Sequence, residues 1–328
     1  MNKKSTPQHN MIFRTAISRA FPQILLTIVL IALIVGLSIA SEFFLTWRNF
    51  RNIFDQCSVY LLLSLGMTFV IASGGIDLSV GSIAGMSGVI MAVLMKAGMP
   101  VWAAVLLGIL AGVITGVING SIISFLKLNP FITTLATMTI ARGIALVLTG
   151  GVSIYGFAQS FKWWGTGAIG PINAPIVISL VFTIISAIIM SRTLWGKYSL
   201  SLGSNAEALR RSGVNVKAYR ISIYAASAFC AAIAGLIMTA RLNSAAPLAG
   251  SGYEMDAIAA VVLGGGSLNG GRGSIIGTFI ACFTLSVLRN GLTMLAIPTY
   301  YQQLITGVII LLAIIIAEIR NRREKESE

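Results

Sequence analysis

The residue types that most often carry chemistry are scarce in this sequence and are not grouped. The chain has one histidine, His9, near its N-terminus, and three cysteines, Cys57, Cys230 and Cys282, each within or beside an apolar run. Cysteines in such places are typical of small buried hydrophobic residues and not of a disulfide or metal framework. The sequence therefore predicts no metal site, and it offers no His, Cys or carboxylate constellation for catalysis.

The sequence also lacks the motif of a nucleotide-binding phosphate loop. The Gly-rich stretch GGGSLNGGRGS at residues 264–274 lacks the Lys-Ser/Thr ending of the phosphate loop G-x-x-x-x-G-K-[ST]. It also follows a long apolar run. We therefore expect this chain to bind no cofactor of its own.

The most informative polar stretch is GSNAEALRRSGV at residues 203–214. Ser204 and Glu207 have the spacing of a capping box, and Gly213 suits the left-handed position just past a helix end. The stretch predicts a short capped helix of about eight residues, which is marginal in water alone. Such a helix packs on its own bundle or on a partner. A plain connector between two long helices is the alternative interpretation.

The elements that must position this stretch are membrane helices. The chain is 56% hydrophobic and only 10% charged, whereas soluble domains carry roughly 25% charged residues. The net charge of +13 would suit a nucleic-acid binder, but the basic residues lie in the gaps between apolar runs, as topology signals do. The sequence predicts an all-α, polytopic membrane helix bundle that binds lipid and no nucleic acid.

Ten apolar runs approach the ~20 residues that a membrane span needs. They lie near residues 22–40, 57–73, 79–97, 101–125, 131–149, 174–191, 221–240, 256–266, 274–291 and 303–319. Most Lys and Arg residues fall on the inner side if both chain ends are cytoplasmic. This predicts a cytoplasmic tail at 1–21, a transmembrane domain at 22–319 with a cytoplasmic loop at 192–220, and a second tail at 320–328.

Two further patterns bear on the architecture. Residues 41–56 place aromatic side chains on one helical face, which predicts a separate helix lying in the membrane surface. Residues 74–85 (GGIDLSVGSIAG) match residues 266–277 (GSLNGGRGSIIG) at a constant offset. The even number of helices between the copies predicts a parallel internal repeat, although Gly-rich turns also resemble one another by chance.

Five longer motifs resemble the permease subunits of bacterial ABC importers for ribose, galactose, arabinose, xylose and related sugars. They are LTWRNFRNIF at 45–54, GMTFVIASGGIDLSVGS at 66–82, FITTLATMTIARG at 131–143, GSNAEALRRSGVNV at 203–216 and ARLNSAAPLAGSGYEMDAIAAVVLGGGSLNGGRGSIIGT at 240–278. The resemblance extends from about Phe44 to Ile316 and departs mainly in the tails and in residues 150–172.

The resemblance implies a function and a set of partners. It implies a non-catalytic subunit of the bacterial inner membrane that translocates a monosaccharide, a pentose or a hexose. A periplasmic sugar-binding protein would deliver the sugar, a second permease copy would complete the channel, and cytoplasmic ATP-binding subunits would hydrolyse ATP-Mg. The residues that match the family's ATPase-coupling helix are Ser204, Asn205, Ala206, Glu207, Ala208, Leu209, Arg210, Arg211 and Gly213.

Polar residues in the middle spans are candidates for the sugar pathway. They are Asn119, Asn129, Thr133, Thr134, Thr137 and Arg142. Ser and Thr side chains also bond to their own helix carbonyls, and Arg142 could tie its helix to a carbonyl. Asp77 fits a helix cap at a cytoplasmic turn.

Two carboxylates, Glu254 and Asp256, mark the predicted periplasmic start of the eighth span, where they suit a helix N-terminus. They are also candidates for contact with the binding protein. An ion-coupled secondary transporter is the alternative function. It would need a buried carboxylate network, whereas the sequence places the acidic residues almost wholly in loops.

Overall fold

The computed structural model describes the backbone of residues 8–326 and the side chains of residues 23–309, 311, 312 and 315. Twelve helices account for most of this part of the chain. They are α1 (Gln8–Ala40), α2 (Trp47–Ala72), α3 (Val80–Lys96), α4 (Val101–Phe125), α5 (Pro130–Thr149), α6 (Gln159–Thr166), α7 (Ala174–Arg192), α8 (Leu194–Arg211), α9 (Val216–Leu242), α10 (Tyr253–Leu263), α11 (Ile275–Met294) and α12 (Thr299–Glu326).

Four two-residue strands complete the described elements. Strand β1 (Ile154–Tyr155) pairs antiparallel with β4 (Ser244–Ala245), and β2 (Ala168–Ile169) pairs antiparallel with β3 (Ile172–Asn173). The segment between α5 and α7 therefore contains α6 and a small hairpin. Phe161 of α6 is buried, so this segment is fastened to the bundle.

The predicted all-α membrane bundle is confirmed. Within the described residues, seven helices are long and apolar enough to cross a membrane: α1, α2, α4, α5, α7, α9 and α11. The other three predicted spans fall on α3, α10 and α12. Helix α3 has 17 residues and α10 has 11, so the count of ten crossings stays a prediction. The tails and the parallel symmetry of the repeat stay predictions as well.

The separate surface helix predicted for residues 41–56 is wrong. Helix α2 begins at Trp47 and continues without a break to Ala72. Ile53 is fully buried, and the buried Asn49 side chain accepts a hydrogen bond from Asn290 of α11 at 2.9 Å. The aromatic face suggested a surface helix, but polar contacts to neighbouring helices hold this stretch inside the bundle.

The centre of the bundle is formed by α2 and α9, with α3 and α4 packed closely on α9. Glycine recurs at every fourth position of α4, at Gly108, Gly112, Gly116 and Gly120, and the stripe faces α3 and α9. A Cβ added at Gly112 would lie 2.8 Å from the Ser87 hydroxyl. Small residues of this spacing let helix backbones approach closely in lipid, where no hydrophobic force drives helices together.

The stripe gives a stability prediction. Gly112→Val should lower the thermal stability of the purified chain by about 1–3 kcal/mol, because the added atoms overfill the contact with α3 and α9. Thermal unfolding in detergent measures the effect. Gly36→Val is the matched control, since nothing lies within 4 Å of a Cβ added there. Equal losses in the two variants would contradict close packing of α4.

Candidate functional site

The segment expected to couple to an ATPase is a short helix set off from the rest of α8 by a kink. Asn205 has non-helical dihedral angles, φ −159° and ψ 92°. Its Oδ1 accepts a hydrogen bond from the Ala208 backbone N–H at 2.9 Å, which is the geometry of an N-cap. The new helix therefore begins after Asn205 and ends at Arg211.

The predicted cap at Ser204 is wrong by one residue. The preceding helical turn continues through Ser204, whose hydroxyl donates to the Leu200 carbonyl at 3.1 Å instead of capping the next helix. Gly213 is confirmed in the left-handed conformation, with φ +86°. The short helix is thus bounded by Asn205 and Gly213, and Leu209 anchors it by burial.

The charged face of this helix is exposed and internally paired. The Glu207 carboxylate accepts hydrogen bonds from Arg210 Nη2 at 2.7 Å and from Arg211 Nε at 3.1 Å. These hydrogen bonds lower the pKa of Glu207 to about 2. The carboxylate therefore stays ionised throughout the physiological pH range. It faces the two arginines and does not make the reciprocal capping contact predicted with Ser204.

Three glycines connect the short helix to the two repeat segments. A Cβ added at Gly270 would lie 2.8 Å from the Gly203 Cα and 2.9 Å from the Gly74 Cα. The Gly271 N–H donates to the Ala72 carbonyl at 2.9 Å. We call the contact of Gly74, Gly203 and Gly270 the glycine junction. Gly74 and Gly270 have φ of +80° and +81°, a conformation that favours glycine.

Sequence reasoning missed the glycine junction, although it singled out the segments that form it. The repeat contributed Gly74 and residues 266–277, and the coupling stretch began at Gly203. The sequence signal that could have indicated the junction is a glycine in each of the three segments. The sequence does not show that these glycines lie close together.

Three of the candidate pathway residues join a buried hydrogen-bond network. Thr137 Oγ1 donates to Asn119 Oδ1 at 2.6 Å, and Asn119 Nδ2 donates to Ser79 Oγ at 3.0 Å. Thr134 Oγ1 accepts from the Leu78 backbone N–H at 3.1 Å. These contacts tie α4 and α5 to the link between α2 and α3.

Asp77 is the acidic member of this network. It is fully buried, and it accepts hydrogen bonds from the Ser79 N–H at 3.0 Å and from the Ser227 hydroxyl at 3.0 Å. Asp77 was predicted to cap α3, but the N-cap position is Ser79, and Asp77 lies two residues earlier and accepts from Ser79. The cytoplasmic side of this turn stays a prediction. The α2–α3 link folds back against the middle of α9, and this backbone path removes Asp77 from solvent.

The remaining candidates on α5 have local structural contacts. Asn129 Oδ1 accepts from the Phe131 N–H at 2.9 Å and caps the helix, and Thr133 Oγ1 donates to the Asn129 carbonyl at 3.1 Å. Arg142 Nη1 donates to the carbonyls of Pro247 and Ala249 at 3.1 Å and 2.7 Å. Arg142 thus ties α5 to the segment before α10, as the structural alternative expected.

The two carboxylates at the start of α10 lie inside the bundle. Glu254 is buried, and its Oε1 accepts from the Gly252 N–H at 3.2 Å. Asp256 forms an ion pair with Arg289 at 2.5 Å, and the Arg289 guanidinium lies 5.0 Å from the Tyr60 ring centroid. Both carboxylates therefore have partners within the chain. Their contact with a binding protein stays a prediction.

Taken together, the helices and their buried polar links define a polytopic helical membrane protein with a paired, exposed charged helix on one face. Residues 49–314 match the family described as "Branched-chain amino acid transport system / permease component". The chain belongs to this family of transport-system permeases.

Curated relatives cover nearly the whole chain. It is 41% identical to the ribose import permease protein RbsC of Bacillus subtilis, over 88% of this chain and 90% of the relative. It is 39% identical to the D-allose transport system permease protein AlsC of Escherichia coli, over 88% and 89%. For the L-arabinose transport system permease protein AraH of Escherichia coli, identity is 34% over 94% of each chain. No solved structure matches.

The cap assignment yields a local prediction. Asn205→Ala should destabilise the helix from Ala206 to Arg211 by about 1 kcal/mol, because it removes the acceptor for the Ala208 N–H. Hydrogen–deuterium exchange of these amides should accelerate. Asn205→Asp, which keeps the acceptor, is the control. If Ser204→Ala accelerates exchange more than Asn205→Ala does, the assignment of the cap is wrong.

Arg142 gives a second prediction. Arg142→Gln should lower the unfolding temperature of the chain in detergent, because hydrogen bonds from a charged donor contribute about 1.5–3 kcal/mol each. Arg142→Lys, which keeps the charge, should lose less. A raised KM for uptake without any change in thermal stability would favour a place in the sugar pathway over the structural role.

Proposed function

We propose that this chain is the transmembrane subunit of an ATP-driven importer of a monosaccharide, with pentoses and hexoses as the substrate class. The observation that carries the proposal is full-length similarity to permeases whose names specify ribose, D-allose and L-arabinose. ATP is bound and hydrolysed with Mg²⁺ by partner subunits. A periplasmic binding protein selects the sugar, and both chain ends lie in the cytoplasm.

The short helix between Asn205 and Gly213 is the contact for the ATPase subunit in this proposal. It exposes Glu207, Arg210 and Arg211, with side-chain exposures of 51%, 68% and 76%, while Leu209 is buried against the bundle. An exposed charged face on a buried anchor suits a partner's groove, where complementary charges guide docking.

The glycine junction supplies the route by which motion of this helix reaches the membrane. Gly203 lies two residues before the kink at Asn205 and touches the backbone of both repeat segments. Those segments lead into α3 and α11. A displacement of the short helix therefore acts on two membrane helices at their starts, and it favours one of two arrangements of the bundle.

We place the sugar pathway between this chain and a second permease copy. Asn119, Thr134 and Thr137 are buried within one chain, where they bond to each other's helices and to the α2–α3 link. Their groups are thus engaged internally. The opposite face of α5 is exposed at Ile132 and Ile140, which suits a contact with a second copy.

The ion-coupled alternative also has a specific observation in its favour. Asp55, Asp77 and Glu254 are buried. Asp55 lies in α2 and Glu254 in α10, which corrects the expectation that the acidic residues lie almost wholly in loops. Buried carboxylates in membrane proteins often mark proton or ion pathways. The relatives named above are import permeases of sugar systems, and they favour the first function.

Reconstitution separates the two functions. Liposomes containing this chain, its ATPase subunit and internal ATP should take up labelled ribose, D-allose or L-arabinose only when the sugar-binding protein is added outside. Omission of ATP is the control. Uptake by this chain alone under a proton or sodium gradient would overturn the importer assignment.

The coupling contact predicts an effect of charge reversal. Arg210→Glu combined with Arg211→Glu should weaken ATPase association at least about tenfold, because it reverses the charge of the exposed helix face that docks in this proposal. Co-purification with the tagged ATPase measures it. Lys197→Glu combined with Lys217→Glu, at exposed positions outside the short helix, is the matched control. Unchanged association of the first double variant would contradict the contact.

A further inference from the structure

A cavity beside the glycine junction has no role in the function proposed above. It has a volume of about 240 Å³ and lies between the α2–α3 link, the α4–α5 turn and the first turns of α9. Ser73, Gly74, Lys127, Arg220 and Tyr224 contribute to its wall. Sites for drug-sized ligands measure roughly 300–1,000 Å³, so this cavity suits a smaller group, the size of a lipid headgroup or a small ester.

The charge in the cavity has one sign. Lys127 and Arg220 both line it, and none of its lining residues in the described part of the chain is acidic. Neither cationic side chain forms a hydrogen bond or an ion pair with a residue whose side chain is described. Two cations without counter-charges at one cavity repel each other, and an anion between them removes that repulsion.

The backbone presents Lys127 to the cavity in an unusual way. Helix α4 ends at Phe125, and Lys127 follows in the left-handed conformation, with φ +54°. This conformation favours glycine and is uncommon for other residues. A lysine near a helix C-terminus is stabilised by the helix dipole, but the dipole does not account for Arg220, which is the fifth residue of α9 and lies near the opposite end of a helix.

We propose that this cavity binds a phosphate group, carried either by an anionic phospholipid or by a soluble phosphate ester. The Arg220 guanidinium offers a planar fork of N–H donors and Lys127 offers a point charge, and both are common phosphate ligands. Ser73 and Tyr224 also line the cavity, but their hydroxyls donate to the Val70 and Ile76 carbonyls, so the two cations are the donors for the phosphate. Basic pockets between membrane helices are suited to lipid headgroups.

The site is connected to the glycine junction. Gly74 lines the cavity and also contacts Gly203 and Gly270. A ligand held by Lys127 and Arg220 would brace the 73–75 link against the segment that enters the short helix. Phosphate binding thereby restrains the junction through Gly74.

Native mass spectrometry of the full purified chain tests the proposal. The probes are dioleoylphosphatidylglycerol, dioleoylphosphatidylcholine and glycerol 3-phosphate. The variant is Lys127→Gly combined with Arg220→Gln. Glycine suits the backbone at 127, and glutamine keeps a polar but uncharged side chain at 220. Lys197→Gln combined with Lys217→Gln removes the same charge outside the cavity and is the matched control.

The unaltered chain should prefer an anionic probe. Loss of both cations should weaken that binding about 30-fold, because each basic residue near a membrane surface contributes about 1 kcal/mol to anion binding. The control variant should keep the preference. Loss of phosphatidylglycerol binding identifies a lipid site, and loss of glycerol 3-phosphate binding identifies a soluble-ester site. Equal losses in cavity and control variants, or no preference in the unaltered chain, would overturn the proposal.

Folding and function can be separated in the same experiment. Thermal unfolding of the cavity variant in detergent should match that of the control variant, which shows that both are folded. The binding measurement needs no transported sugar, ATPase or binding protein. Failure of the importer assignment would therefore leave this result unchanged, and the reverse also holds.

Discussion

Lipid offers no hydrogen bonds, so every backbone group that leaves a helix inside the bundle must find its partner within the protein. This chain leaves helical geometry there in at least two places, at the α2–α3 link and at the segment before α10. In the α2–α3 link, the Leu78 N–H donates to the Thr134 hydroxyl oxygen. In the segment before α10, the Pro247 and Ala249 carbonyls accept from Arg142. Thr134 and Arg142 of α5 are therefore explained first as hydrogen-bond partners for non-helical backbone groups inside the bundle.

The helical spans were predictable because lipid imposes one rule along the whole sequence. All ten apolar runs fall on helices, since length and hydropathy are local properties. The errors occurred where the outcome depended on a neighbour. Ser204 has the right residue type for a cap, but the preceding turn incorporates it, and Asn205 becomes the cap. The sequence of residues 47–56 predicted a surface helix, because it does not show that Asn290 of α11 donates a hydrogen bond to Asn49.

The candidate site was less predictable than the fold, for a related reason. Residue type indicated that Asp77, Glu254 and Asp256 suit helix starts, but it could not indicate how deep those starts lie. Chain reversal places the first residues of α3 beside those of α10: a Cβ added at Gly81 would lie 2.5 Å from Glu254 Oε2. How deep in the bundle α3 and α10 begin depends on the path of the segment before each helix. Hydropathy along one segment carries no information about that path.

The glycine junction also bears on how such transporters diversify. Side chains can change rotamer and absorb a shift, whereas main-chain atoms in direct contact have no such freedom. A joint of this kind is stiff. It also makes the residues at 74, 203 and 270 depend on one another, although they are far apart in the sequence. A chimera that imports residues 203–213 from a relative with a bulkier residue at 203 would push the three backbones apart, because the partners at 74 and 270 are already glycine and cannot be made smaller.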